Sequence, residues 1–397
     1  MAQSIGGQQT ESGARSGAAG DPSVWLLVGE KRGDNAQIVN LAKAVGWDFC
    51  EKKIFVKPEW VEGKPKVSPS LDHLDLSRSD ELAAPWPDLV ITAGRRLSSV
   101  GLWIKQASRG RTRLVMIGRP RRLLDSVDLI VVAAHYMLPP APNVVRHDLP
   151  LMHVDPQVLE TAGRQWRTRL ADLPRPLTAL MVGGPTGGLR FGLETARDLL
   201  EKTLATVQAS GGSLYVTTSR RTPRAVVAML REACPDWARF YEFDPDAPPG
   251  ENPYHGLLAL ADHFVVTTDS ASMMVEVVRV GRSLSIYPLA ADVSAVERVL
   301  EGLGLLRPLS PRSDPLPAGG LRARAMYRIG RPTHSRDLSA IPRLLVAKGL
   351  AGWLGDGWVK PASFADEELE RVAARVRGMI ESLGDEARSS VDGKGRL

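Results

Sequence analysis

The residues of this chain that could do chemistry sit in short polar loops placed directly after apolar runs. The richest follows His263–Thr267 and reads Thr268-Asp269-Ser270-Ala271-Ser272-Met273-Met274-Val275-Glu276. Asp269, Ser270 or Ser272 can cap a helix starting there, with Met273 in the same turn, and leave first-turn N–H groups to meet a phosphate. Glu276 can turn its carboxylate towards ribose hydroxyls, as acidic residues do in other nucleotide sites. A plain helix cap followed by an exposed Glu explains the same residues equally well.

Three further loops point the same way. Gly183 and Gly184 open a glycine-rich stretch, 183–188, whose backbone can approach a phosphate closely. It lacks the Lys of a P-loop and the spacing of a dinucleotide fingerprint, so a tight turn accounts for it as well. Thr218, Ser219, Arg220 and Arg221 follow another apolar run and combine hydroxyls with two guanidiniums, a set suited to a diphosphate. Asn252 and Tyr254 follow an acidic, proline-rich stretch, where the aromatic ring either closes over a base or sugar or simply packs. Together the four loops describe a nucleotide-diphosphate site better than any one alone.

The first half carries different equipment. Asp34 follows the first apolar run and is the first candidate for a general base, with His135 the second. Each has a bland alternative: Asp34 as a helix N-cap, His135 as a satisfied buried histidine. Gly94-Arg95-Arg96 and Gly118-Arg119-Pro120 add positive charge after two more runs, and basic residues cluster again at 322–331. No metal is expected, because His135, His147 and His153 lack ligand spacing. No nucleic-acid partner is expected either, since no binding motif accompanies the basic clusters.

Placing these loops requires a parallel sheet. Val24–Val28, 88–92, 114–117 and Leu129–Ala133 are continuous apolar runs of the kind buried on both faces, alternating with helical stretches. A second series, 178–182, Ser213–Thr217, His263–Thr267 and Ser283–Tyr287, follows a proline-rich stretch at 174–176. The expected architecture is therefore α/β, with two tandem Rossmann-like domains. Ligands in such sheets sit beyond the carboxyl ends of the strands, where the polar loops lie. The expected divisions are a disordered leader at 1–22, a first Rossmann-like domain at 23–172, a second at 173–320 that carries the nucleotide loops, and an extension at 321–397. The extension ends in an amphipathic helix, starting near Asp366, that crosses back to the first domain.

Composition agrees with this picture. The 397 residues carry 51 Lys and Arg against 45 Asp and Glu, a net charge of +6, and 43% are hydrophobic. That excludes a disordered chain, a collagen or a coiled-coil rod. No apolar run reaches the length of about 18 residues that crosses a bilayer. Cys50 and Cys234 are too few for a disulfide framework and suit a reducing compartment.

The motifs resemble the bacterial branch of the mitochondrial fission ELM (elongated mitochondria) family. The matching pieces are Gly33-Asp34 with Gln37, Trp86-Pro87-Asp88-Leu89-Val90 leading to Gly94-Arg95-Arg96, and Asn143-Val144-Val145. In the second half they are Gly183-Gly184-Pro185, Thr217-Thr218-Ser219-Arg220-Arg221-Thr222-Pro223, Asn252-Pro253-Tyr254, and Thr268-Asp269-Ser270 with Ser272-Met273 and Glu276. The resemblance implies a GT-B-like fold, two Rossmann-like domains facing a cleft, and transfer of a sugar from a nucleotide-diphosphate donor on the C-terminal domain. The alternative is a non-catalytic scaffold of the same fold, related to mitochondrial fission factors. One departure is Ala134-His135-Tyr136, where the family has an acidic residue beside its His. The nucleotide sugar is substrate, and no cofactor is expected. A lipid-linked or envelope polysaccharide acceptor would put the protein in the cytoplasm or on the inner face of the cytoplasmic membrane. Basic loops with Trp47, Trp60 and Trp103 would suit contact with an anionic membrane, although each Trp alone reads first as partly buried core.

Overall fold

The structure is a computed structural model that describes residues 21–61, 68–119, 124–136, 140–185, 189–248, 250–290, 339–359 and 367–392, with positions 138, 299 and 337. The leader expected at 1–22, apart from its last two residues, lies outside the described residues. So do 186–188 of the glycine-rich stretch, Pro120, the basic cluster at 322–331 and the cap expected at Asp366.

The first unit runs β1 (Val24–Val28), α1 (Arg32–Val45), β2 (Phe49–Lys53), α2 (Pro58–Val61), β3 (Leu89–Ala93), α3 (Arg95–Ala107), β4 (Arg113–Ile117), β5 (Leu129–Ala133) and β6 (Val144–His147). All pairings are parallel, in the order β2-β1-β3-β4-β5-β6. The strands are apolar throughout because helices cover both faces. Leu26 of β1 packs with Ile38 and Leu41 of α1. Leu27, one residue on and therefore on the other face, packs with Val100 and Ile104 of α3.

The second unit follows with α4 (Pro156–Arg167), β7 (Leu177–Met181), α5 (Leu193–Ser210), β8 (Ser213–Thr217), α6 (Arg224–Ala233), β9 (Arg239–Tyr241), α7 (Tyr254–Leu260), β10 (His263–Thr267), α8 (Ala271–Arg279), β11 (Ser283–Tyr287), α9 (Ala340–Ala347) and β12 (Gly352–Trp353). Its sheet is also wholly parallel, in the order β12-β11-β10-β7-β8-β9. The expected pair of parallel α/β domains is thus present, with six strands in each sheet.

Three details differ from the sequence expectation. Strand β6 follows the strand at Leu129–Ala133, which the sequence reading takes as the last of its half; Val-Val-Arg-His is too short and too polar to stand out. The chain passes from one core to the other over 149–152, with Leu149 and Met152 in the second and Leu151 in the first, and α4, on the near side of the 172/173 division, packs through Trp166 against Leu257 and Leu258 of α7. The extension also supplies part of the second unit: Gly352 and Trp353 pair with Ser285 and Ile286, and α9 buries Ile341 and Leu345 in its core.

The terminal helix α10 (Glu367–Asp392) returns to the first unit, as expected. It buries Val372, Ala373 and Val376 against α1. Arg377 donates to the carbonyls of Ala44 and Val45, satisfying orphan groups at the C-terminus of α1. At its own start, Glu368 accepts the N–H groups of Asp148 and Leu149.

Beneath that junction His147 is 2% exposed. Its Nδ1 donates to the Leu149 carbonyl at 2.6 Å, and burial lowers its pKa from 6.5 to about 4. The folded state therefore holds the ring neutral at a pH where the unfolded chain protonates it. This contribution is complete above pH 6.5 and is lost as pH falls towards 4, by up to about 3 kcal/mol at 1.36 kcal/mol per pKa unit. Urea unfolding at pH 7 and pH 4.5 should show a steeper acid loss in the wild type than in His147→Gln. Equal losses in the two proteins would contradict it.

Candidate functional site

In each sheet the strand order reverses once. The reversal lies between β1 and β3 in the first and between β7 and β10 in the second. Crevices at such points, beyond the carboxyl ends of the strands, are where open α/β sheets bind ligands. The loops leaving β1, β3, β7 and β10 carry Asp34, Gly94, Gly183 with Gly184, and Asp269 to Ser272. Part of the sequence-selected set therefore falls at each reversal, whereas Thr218 to Arg221 follow β8, His135 follows β5, and Asn252 and Tyr254 lie at the start of α7. The two reversals also meet: a methyl group placed on Gly33 would lie 3.5 Å from Ser272 Oγ of the other unit.

On the first side α1 begins at Arg32, with Lys31 as its N-cap residue and no capping side chain. Asp34 is therefore inside the first turn, and the cap role considered for it is not the one it has. Asn35 fixes the preceding loop instead, accepting from the Gly29 N–H at 3.0 Å and donating to the Gly29 carbonyl at 2.5 Å. The Asp34 side chain is 35% exposed, with Lys31 Nζ 4.0 Å away. Its Oδ2 borders Gly94, where a methyl group would come within 3.1 Å, at a backbone φ of +77° that favours glycine. The carboxylate thus lies between two loops at the reversal and reaches solvent.

His135 is differently placed. It is 4% exposed, its ring lies 4.1 Å from that of Tyr136, and its carbonyl accepts the Asp337 N–H at 2.8 Å. Of the two residues considered as a base, Asp34 is therefore the more exposed.

On the second side Asp269 organises the loops. Its side chain is fully buried. One oxygen accepts from Thr267 Oγ1 at 2.6 Å. The other accepts from the Gly184 N–H at 3.0 Å, Ser270 Oγ at 3.0 Å and Arg221 Nη2 at 2.8 Å. Gly183 donates to Thr267 Oγ1 at 3.0 Å. These glycines are needed for closeness: a methyl group on Gly183 would overlap the Asp269 carboxylate, and one on Gly184 the Arg221 carbonyl. Their N–H groups are thus spent on protein acceptors. Packing around Asp269 thus gives these glycines a structural role beside the phosphate contact expected of them.

The loop after β8 is laced to the same centre. Thr222 Oγ1 accepts the Ser219 N–H at 2.9 Å and donates to the Gly183 carbonyl at 2.7 Å. Ser219 Oγ accepts from the Arg221 N–H at 3.3 Å. Thr218 Oγ1 accepts the Phe243 N–H at 2.9 Å, holding the β9 side. Thr222 and Thr267 thus act as hubs although neither was selected from sequence; hydroxyls at strand ends were the available signal. Arg221 is latched to Asp269, whereas Arg220 is exposed and has no partner among the described residues.

Helix α8 starts with Ser270 as N-cap residue and no side-chain cap. Ser270 Oγ is instead turned to Asp269. No side chain therefore caps the first-turn N–H groups of α8, and the positive helix end there favours an anion. Asn252 Oδ1 accepts the Tyr254 N–H at 3.0 Å and so starts α7. Tyr254 does not lie open for a base; its hydroxyl donates to Glu276 Oε2. Burial and the neighbouring carboxylate push the Tyr254 phenol well above its usual range, so it keeps its proton and is the donor. Burial also pushes the Glu276 carboxyl above its usual range, and the Tyr254 hydrogen bond offsets only part of that rise.

Trp47, Trp60 and Trp103 are all partly buried. Trp103 packs edge-on to Trp86 at 5.7 Å, Trp60 tilts over His73 at 6.2 Å, and Trp47 packs on the core under α1. Trp47 and Trp103 therefore pack on the core, whereas Trp60 contacts His73. Among the described residues no helix is long and apolar enough to cross a membrane, and no group of three or more His, Cys, Asp or Glu could hold a metal ion.

Residues 32–324 match the protein family described as Mitochondrial fission ELM1. The Mitochondrial fission protein ELM1 of Arabidopsis thaliana is 28% identical over 255 residues, which are 57% of this chain and 58% of that protein. This chain thus spans less than two thirds of the length of that relative. An uncharacterized protein of Rickettsia prowazekii is 22% identical over 299 residues, 67% of this chain and 83% of its own. Among solved structures, a UDP-glucosyltransferase from Polygonum tinctorium is 13% identical with a TM-score of 0.42, covering 91% of this chain and 99% of that one. A glycosyltransferase from Rickettsia africae is 10% identical with a TM-score of 0.39, covering 83% of this chain and 99% of that one.

Proposed function

We propose, since this chain belongs to the mitochondrial fission ELM1 family, that it transfers a sugar from a nucleotide-diphosphate donor to an acceptor hydroxyl in the crevice where the two sheet reversals meet. The observation that carries this reading is the close approach of the two units at Gly33 and Ser272, with Asp34 one residue from the first and the second in the opening turn of α8, a helix without a side-chain cap. The diphosphate would lie at the α8 N–H groups with Arg220 beside it, and the ribose at Glu276. Asp34 would take the proton of the acceptor hydroxyl as its oxygen bonds to the anomeric carbon. The bond from that carbon to the diphosphate breaks, and the nucleoside diphosphate leaves with its added charge held by the α8 N–H groups. No metal is required for this scheme. A lipid-linked or envelope polysaccharide acceptor, and attachment to the inner face of the cytoplasmic membrane, belong to the same proposal.

A second reading, a scaffold without turnover, is favoured by one observation: the Gly183 and Gly184 N–H groups are spent within the protein. A thermal-shift screen of nucleotide sugars, followed by assay of donor hydrolysis for each hit, separates the two. Turnover supports the enzyme, and binding without turnover supports the scaffold.

The donor seat has its own test. Arg220→Ala and Glu276→Ala should each weaken nucleoside-diphosphate binding about tenfold or more, since a hydrogen bond to a charged group is worth about 1.5–3 kcal/mol. Calorimetric affinities unchanged in both variants would remove these residues from the site.

A further inference from the structure

We propose that Tyr254 is a positioning residue whose hydroxyl holds the Glu276 carboxylate ready for ribose hydroxyls, and so makes the site prefer a nucleotide that carries them. This rests on the donor seat proposed above, and adds to it the residue that sets its selectivity.

The geometry begins on α8. Ser272 and Glu276 are four residues apart on one helix and share a face. Ser272 looks across the crevice at Gly33, so Glu276 lies one turn deeper on the side facing the crevice. A glutamate has three rotatable bonds, and left alone its carboxylate would sample several positions. Tyr254, from a different helix, removes that freedom by donating its phenolic hydrogen to Oε2. Oε1 then keeps its acceptor capacity in a set orientation, which is the requirement for accepting hydrogen bonds from a ligand.

Tyr254 can do this because α7 is itself held. Asn252 accepts its N–H and fixes where the helix starts. Gly256, two residues on, lets Trp166 of α4 press against the helix, where a methyl group would come within 2.3 Å of the indole. The phenol is thus carried on a helix clamped from behind. Packing alone would be served by phenylalanine. The hydroxyl is the added feature, and Glu276 is the partner it has.

The test compares UDP, GDP, ADP and CDP with their 2′,3′-dideoxy forms by calorimetry on the full chain. The wild type should bind at least one ribonucleotide about tenfold or more tightly than its dideoxy form, the size of a hydrogen bond to a charged group. In Tyr254→Phe that ratio should fall to about threefold or less, with affinity for the dideoxy form unchanged. A residue that merely packs would weaken both forms alike. If Tyr254→Phe fails to fold, Asn252→Ala, which loosens the start of α7 and leaves the phenol in place, should also lower the ratio. A wild-type ratio retained in the Tyr254 variant, or in Asn252→Ala where that variant is the one measured, while Glu276→Gln loses it, overturns the positioning role and leaves the donor seat standing. If the wild type binds none of these nucleotides, both are overturned.

Discussion

Asp34→Asn should lower turnover by about two to four orders of magnitude, the usual worth of general-base help. Donor affinity should hardly change, because Asp34 belongs to the first unit and the nucleotide seat to the second. The substitution is close to isosteric, and Asp34 is not the N-cap of its helix. Its ion pair with Lys31 spans 4.0 Å between exposed side chains, and such pairs contribute little. The fold should therefore be preserved, and the loss should appear in the rate alone. A variant with wild-type turnover would remove the carboxylate from the reaction. His135 would then be the next candidate for the base.

Asp269→Ala should have the largest effect on stability. The carboxylate has no exposure and four partners from three loops. Removing it strands the Gly184 N–H, the Thr267 and Ser270 hydroxyls and one guanidinium. Breaking a buried pair in this way costs about 3–5 kcal/mol. Arg221 is 39% exposed and can recover water, which places the expectation at the lower end of that range. Asp269→Asn keeps an acceptor but loses the charge, and should fall between. Urea unfolding measures both. A loss below about 1 kcal/mol in the alanine variant, the level of an ordinary neutral hydrogen bond, would show that the loops do not depend on this residue. Because these loops also set the start of α8, nucleotide binding should fall with stability.

The parts of the fold that were legible from sequence were those with a local physical signature. Val24–Val28 and His263–Thr267 are apolar on both faces because helices cover both, and that pattern is visible without coordinates. Strand β12 is only Gly352 and Trp353, paired to a strand more than sixty residues earlier, so no local pattern marks it. Helix α4 reads as an amphipathic helix in either unit; Trp166 settles its allegiance by meeting Gly256, ninety residues on. The site divides along the same line. Polar loops after strands were readable, since the sheet itself dictates where ligands bind. Which side chain engages which was not. The sequence does not signal that Arg221 reaches Asp269, that Gly183 packs against the same carboxylate, or that the Tyr254 hydroxyl meets Glu276. Each of these pairings joins residues far apart in the chain.

The central claim is that a nucleotide sugar sits where the two sheet reversals face each other. Amide hydrogen exchange tests it most directly, carried out with and without whichever UDP-, GDP-, ADP- or CDP-sugar raises the melting temperature. The account predicts slowed exchange at 218–222 and 268–276 of the second unit, together with 29–35 across the crevice. Protection confined to other surfaces, or no effect from any of these donors, would contradict it.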